Sequence, residues 1–285
     1  MVPEQSSDKA ESPWGRKYDA ETIKLNGEPV EVIDVSPKHL RSPVPVLFAP
    51  GWSPDTAMLR QIMPAFVKAG RRGIAISAPH GIHVESGDPE MRKAEAVLEL
   101  IKQKHLPKVN AIGYSEAGLY LIDAACREPE KFRSIVLVCP AGTLKKDSVP
   151  WLAGRLLKQM MIEMGDTFLG LFDGKHTPHS RLIRNIAKGT IPSFSPHSSR
   201  EARALAERQI VDTLIALREK GVPVCIIQTS EDRVFPLERS VLPPTAYDKL
   251  FVMEGSHGLL YLKPEKIIPV ALKMFEDMEK KEERH

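Results

Sequence analysis

From residue 44 onward the chain repeats one pattern: a short apolar run, a turn, then a longer amphipathic stretch. The apolar runs are Val44-Pro-Val-Leu-Phe-Ala, Ile74-Ala-Ile-Ser, Val109-Asn-Ala-Ile-Gly, Ser134 to Cys139, Val222 to Gln228 and Leu250-Phe-Val-Met. Helical stretches lie between and after them, at Asp55 to Ala69, Asp88-Pro89 on to His105, Ala117 to Arg127, and Glu265 to Glu279. Asp88 and Pro89 suit a cap and first helical turn, and Gly221 suits a helix stop. Runs that are apolar on both faces and alternate with helices are satisfied by a mainly parallel sheet covered on both sides. The predicted fold class is therefore α/β. Chemistry in such a sheet belongs beyond the carboxyl ends of the strands.

Two regions depart from the repeat. Residues 1–20 are polar and breaker-rich and read as a flexible arm, with Trp14 and Tyr18 as its contacts to the body. Asn26-Gly27 then separates two alternating runs, the strongest short signal for a hairpin, so the chain opens on an antiparallel ribbon. The second departure follows Cys139, because no further strand pattern comes before Val222. Arg200 to Lys220 carries Leu205, Ile210, Val211, Leu214 and Leu217 on one stripe and reads as one sheet-covering helix. Residues 141–199, with Trp151, Leu152, Leu156, Leu157, Met160, Met161 and Met164, read as a helical insertion, a lid over the sheet. Its apolar face would line an adaptable pocket or simply pack the lid onto the body. Residues 21–140 and 200–285 then form the core.

Composition narrows the class. Forty Lys+Arg against 37 Asp+Glu leave a net charge of +3, too little and too dispersed for a dedicated nucleic-acid or polybasic membrane surface. No apolar run approaches the ~20 residues of a spanning helix, and no secretory leader pattern opens the chain. The three cysteines, Cys126, Cys139 and Cys225, form no Cys-x-x-Cys pair and no disulfide framework, which supports a reducing compartment or an indifferent one, and the expected location is cytoplasmic. Cys139 and Cys225 sit in apolar runs and read as core filler.

The informative turn is Gly113-Tyr114-Ser115-Glu116-Ala117-Gly118. It follows a strand and opens a helix, the setting of a nucleophile elbow, where small residues on either side let strand and helix approach. The second small position is Ala117, with Gly118 beside it. A serine hydroxyl needs a base, and the imidazole needs an acid to orient it. Asp232, just past the Val222 to Gln228 strand, and His257, just past the last strand, supply both on the same rim. Chain order is Ser115, Asp232, His257, the order of this elbow class. Glu231 and Asp248 compete with Asp232 for the acid role, and capping a helix near Pro236 is its plainer reading. Backbone N–H donors for a developing oxyanion are each worth about 10²–10³ in rate. Glu116 would supply one. Trp52, in the loop Ala49-Pro-Gly-Trp-Ser-Pro, would supply the other, or would plug the pocket mouth.

These motifs resemble those of α/β-hydrolase-fold serine hydrolases, over about Glu21 to Met278. The resemblance implies an eight-stranded sheet with an inserted helical cap. The chain departs from the family at Pro50-Gly51, where His-Gly is usual, and at Ser77, where an acid is usual. The expected activity is carboxylesterase-like hydrolysis of a small, largely apolar ester, with Ser115 as nucleophile, His257 as base and Asp232 as acid. Cleavage of a C–C bond in a diketone-type acid is the alternative, with Arg155, Arg181 or Arg184 clamping a carboxylate. A non-catalytic ligand-binding member of the fold is a third reading. His80 with His83, and His176 with His179, lack a third ligand and a metal-binding helix pattern. No phosphate loop or dinucleotide motif is present. No metal, cofactor or nucleic-acid partner is expected, and the oligomeric state is left open.

Overall fold

The computed structural model describes residues 18–52, 56–77, 88–171 and 196–282. Asn26 and Gly27, at φ 50° and 86°, make the turn between β1 (Glu21–Leu25) and β2 (Glu28–Val35). Both turn positions need positive φ, so Asn-Gly fits the expected hairpin. β2 runs antiparallel to β4 (Gly73–Ile76), with Val32 opposite Ile76. From there the pairs are parallel through β3 (Val46–Ala49), β5 (Val109–Tyr114), β6 (Phe132–Val138), β7 (Val224–Glu231) and β8 (Lys249–Ser256). The result is one eight-stranded sheet in the order β1-β2-β4-β3-β5-β6-β7-β8.

Alternate residues of the strands feed two cores. Val46, Phe48, Ala75 and Ile112 face α1 (Thr56–Lys68) and, near the C-terminus, the one-turn α7 (Leu259–Leu262) and α8 (Pro264–Glu282). Leu47, Ile74, Ala111 and Leu137 face α2 (Pro89–Gln103), α3 (Ala117–Arg127) and α6 (Val211–Glu219). Asp88 caps α2 by accepting from the Glu90 amide at 3.0 Å, with Pro89 in the first turn, as its sequence requires. Asn110 is a polar residue inside a fully buried strand. Its side chain is satisfied by Ser134 at 2.8 Å and Glu279 at 2.9 Å.

The single helix expected over Arg200 to Lys220 is two. α5 (Pro196–Glu207) ends and α6 starts at Val211. At the break, the Ile210 amide donates to the Gly142 carbonyl at 3.0 Å, and Arg208 grips the Asp123 carboxylate at 2.8 and 2.9 Å. Contacts made by distant residues redirect the chain there, and no local breaker marks the place. Of the expected stripe, Leu205, Ile210, Leu214 and Leu217 are buried and Val211 is half-buried.

Within the 141–199 stretch, α4 (Val149–Leu171) is a long helix. Arg155 ties it to Asp147 and to the Val234 carbonyl at 2.9 Å, and Gln159 accepts from the Arg233 amide at 3.4 Å. α4 is thus pinned onto the loop that follows β7. Its Leu152 is buried, whereas Trp151, Leu157 and Met161 are exposed. Residues 172–195, which hold His176, His179, Arg181 and Arg184, lie outside the described residues, as do Trp14, His80 and His83. Among the described residues no helix is long and apolar enough to cross a membrane.

Candidate active site

β5 runs straight into the turn. Ser115 sits at φ 53°, in the left-handed region that a non-glycine residue enters only under constraint. Its amide donates to Val138 at 3.0 Å, and its carbonyl accepts from Gly118 and Ala141, both at 2.9 Å. The turn is therefore locked to the end of β6. The tight approach is also visible in the glycines. A Cβ on Gly118 would lie 2.7 Å from Pro140 Cβ, and one on Gly51 would lie 2.8 Å from Ser115 Cβ. The loop after β3 is thereby pressed against the serine.

Ser115, Asp232 and His257 are brought together as the sequence pattern predicts. His257 Nε2 is 3.0 Å from Ser115 Oγ, and His257 Nδ1 is 2.8 Å from Asp232 Oδ2. Asp232 Oδ1 accepts from the Val234 and Phe235 amides at 2.8 Å each, and Oδ2 also accepts from Gln228 Nε2 at 3.1 Å. The capping role weighed for Asp232 is not realised: the short turn of helix at Leu237–Arg239 has Pro236 at its cap and no side-chain cap bond, and Asp232 Oδ1 instead binds the loop amides before it while Oδ2 faces the imidazole. The competing acids are elsewhere: Glu231 is exposed, and Asp248 pairs with Arg218 and the Val224 amide. Tyr114 donates to the His257 carbonyl at 2.8 Å, and the Tyr114 and Phe235 rings flank the imidazole.

The electrostatics follow from burial and pairing. Desolvation acts to raise the Asp232 pKa, but the imidazole and two backbone amides more than offset it and hold the carboxyl below its usual range. Burial acts to lower the His257 pKa, and the Asp232 carboxylate reverses this, so the imidazole is raised. Cys139 was expected only as core filler. It is buried, but at φ 46° it ends β6 beside the relay, with its thiol 3.3 Å from Thr229 Oγ1. Burial pushes that thiol's pKa up, outweighing the opposite pull of the imidazole beside it. Donor atoms of Cys139, Asp232 and His257 all lie within 4.8 Å of one another, the only such group of three or more His, Cys, Asp or Glu among the described residues. A cation there would have to replace the 2.8 Å His–Asp hydrogen bond.

Trp52 and Glu116 lie on the two loops flanking the serine. Tyr120 fixes the first loop by donating to the Pro50 carbonyl at 2.7 Å. The Trp52 indole donates to Glu201 of α5 at 2.9 Å. Glu116 is buried, with its carboxylate 2.6 Å from Lys93 Nζ. The same ammonium meets Glu90 at 3.4 Å and Glu201 at 2.9 Å. Burial raises the Glu90 pKa to about 7, despite the lysine beside it. None of Lys93, Glu90 and Glu201 was singled out from the sequence. The available signal was a lysine and a glutamate at positions 93 and 90 on the same stripe as Ala94, Val97 and Ile101, where a surface helix carries apolar residues. Arg155, considered as a substrate clamp, is engaged by Asp147 and Val234.

No family model matches the chain, and no curated protein matches it by sequence. Solved structures do match over most of its length. A bromoperoxidase from Bacillus anthracis superposes with a TM-score of 0.64 at 18% identity, over 90% of this chain and 100% of that one. A hydrolase from Pseudomonas aeruginosa gives 0.67 at 17% identity, over 90% and 98%. A meta-cleavage product hydrolase from Pseudomonas fluorescens gives 0.62 at 16%, over 92% and 98%. With its eight-stranded sheet, strand order and flanking helices, the chain has the α/β-hydrolase fold.

Proposed function

We propose that this chain is a serine hydrolase that cleaves carboxylic esters through an acyl-enzyme. The observation that carries the reading is the unbroken relay of Ser115 Oγ, His257 and Asp232, at 3.0 and 2.8 Å. His257 Nε2 takes the serine proton as Oγ attacks the carbonyl carbon. The oxyanion of the tetrahedral intermediate is held by the backbone N–H groups of Trp52 and Glu116. Collapse expels the alcohol, which receives the proton from His257. Water, deprotonated by the same imidazole, then attacks the acyl-serine and releases the acid. Asp232 holds the ring in the tautomer with the proton on Nδ1 and stabilises the imidazolium. In this reading the 141–199 stretch is a cap over the site, and a small, largely apolar ester is the substrate class. The C–C hydrolase alternative ranks second: Arg155 is already paired with Asp147, and the other two clamp candidates, Arg181 and Arg184, lie outside the described residues. The test is a panel of p-nitrophenyl esters from acetyl to dodecanoyl, together with labelling by a fluorophosphonate probe. Both signals are expected in the parent and absent in Ser115→Ala. Equal turnover by the two would overturn the assignment.

A further inference from the structure

We propose that Lys93 and Glu201 are positioning residues that lock the two oxyanion donors, Trp52 and Glu116, into one rigid unit. The proposal rests on the serine-hydrolase reading above. The two donors belong to different loops, one after β3 and one after β5. An oxyanion hole works only when both N–H groups point at one atom, so relative drift of the loops would leave a single donor in place. Here the side chains of those same two residues are joined. The Trp52 indole donates to Glu201 Oε2 at 2.9 Å, Glu201 Oε1 lies 2.9 Å from Lys93 Nζ, and Lys93 Nζ lies 2.6 Å from Glu116 Oε1. Three contacts therefore run from one donor residue to the other.

The chemistry of the joint fits a positioning role. An ammonium has three N–H donors in fixed tetrahedral directions, and three carboxylates, Glu90, Glu116 and Glu201, surround this one. Lys93, Glu90 and Glu116 are inaccessible to water, so the charge–charge contacts are not screened. Burying four ionisable groups is costly where apolar side chains of the same volume would pack at least as well. An apolar cluster, however, is non-directional and would not fix the angle between two loops. Glu201 also stands on α5, so the helix that brings the chain back from the 141–199 stretch is tied into the same unit.

The test uses the whole chain, a p-nitrophenyl ester and phenylboronic acid. The boronic acid forms a bond from Ser115 Oγ to boron, giving a tetrahedral anion that mimics the intermediate and needs both donors. Glu201→Leu and Trp52→Phe each remove the indole hydrogen bond and leave the Trp52 backbone N–H intact. Each is expected to lower kcat about tenfold, with KM within about twofold, a partial loss of one donor's usual contribution. Boronate affinity should fall by the same factor. Trp52→Phe removes the indole bond alone and Glu201→Leu removes the Lys93 contact as well, so the double variant should be no worse than Glu201→Leu, in which the indole bond is already lost. Glu201→Gln, whose amide oxygen still accepts from the indole, should recover most of kcat. Lys93→Met removes the middle of the three contacts and should lower kcat and boronate affinity by at least the same factor. A lowered Tm with wild-type kcat and boronate affinity would make the cluster merely structural and overturn the proposal, as would additive losses in the double variant. A wild-type chain that neither hydrolyses esters nor binds the boronate would instead bring down the hydrolase reading itself.

Discussion

Ser115 is held in a backbone conformation that costs a non-glycine residue about 1–3 kcal/mol, and three backbone hydrogen bonds, with Val138 at the end of β6, Ala141 just beyond it and Gly118 in α3, keep it there. The same restraint aims its hydroxyl at His257. Ser115 and His257 were legible as neighbours from the strand pattern, because each follows an apolar strand and strand ends converge on one rim. Asp232 was separable from Glu231 and Asp248 only in three dimensions, where one carboxylate oxygen meets two backbone amides and the other meets the ring. The proximity of Cys139 to that ring had no local signal, since a cysteine ending an apolar run reads as filler. The raised imidazole pKa is due to Asp232, which outweighs burial. Asp232→Asn removes the charge and leaves burial in control, so the His257 pKa should fall and the acid limb of kcat/KM should move to lower pH. Turnover should drop by about 10³–10⁴, because the tautomer is no longer enforced. A pH–rate profile measures both effects, and an unshifted acid limb would argue against Asp232 as the partner.

At the scale of elements, the strand–turn–helix unit of β5 and α3 was readable because its constraints are local. The small residues in Gly-Tyr-Ser-Glu-Ala-Gly have separate tasks. Gly113 lies against Leu121 and Leu137, Ala117 is fully buried, and Gly118 abuts Pro140. A methyl at Gly118 would sit 2.7 Å from Pro140 Cβ and 3.2 Å from the Ala141 carbonyl, so helix and loop must separate to admit it. Gly118→Ala should cost about 1–3 kcal/mol by overpacking. It should also slow fluorophosphonate labelling of Ser115, because the displaced helix carries the Glu116 amide. Thermal denaturation and the labelling rate check the two parts, and a wild-type labelling rate would show that the elbow tolerates the shift. Elements shaped by distant contacts were not readable. The break between α5 and α6 comes from Gly142 and Asp123, which lie more than 60 residues upstream. The charges on the buried side of α2 find their partners on other elements, at Glu116 and Glu201.

Across the whole molecule the sheet has two unlike edges. Its carboxyl edge holds Ser115, Asp232 and His257, whereas the opposite edge is clamped by a single acidic side chain from α8. Glu279 pairs with Arg71, which stands just before β4, at 3.1 and 3.2 Å. It also accepts from Asn110 at the start of β5 at 2.9 Å, and faces Arg133 at the start of β6 at 3.8 Å. The C-terminal helix is thereby tied to three strands at the end remote from the serine. Partial burial acts to raise the Glu279 pKa, but Arg71 and Asn110 more than offset it and hold the carboxyl below its usual value. A depressed carboxyl pKa stabilises the fold above the unfolded value of about 4.3, and that stability is lost as pH falls through the lower folded value. Glu279→Gln should therefore lower stability at pH 7 by about 1–2 kcal/mol, the range for hydrogen bonds to a partly exposed charge. Denaturant unfolding should show the parent and variant converging as the solution is acidified below pH 4. Because the clamp and the relay occupy opposite edges, kcat/KM per folded molecule should be unchanged in Glu279→Gln. A loss of turnover at 25 °C, with the variant still folded, would mean that the two edges are mechanically coupled through β5 and not independent.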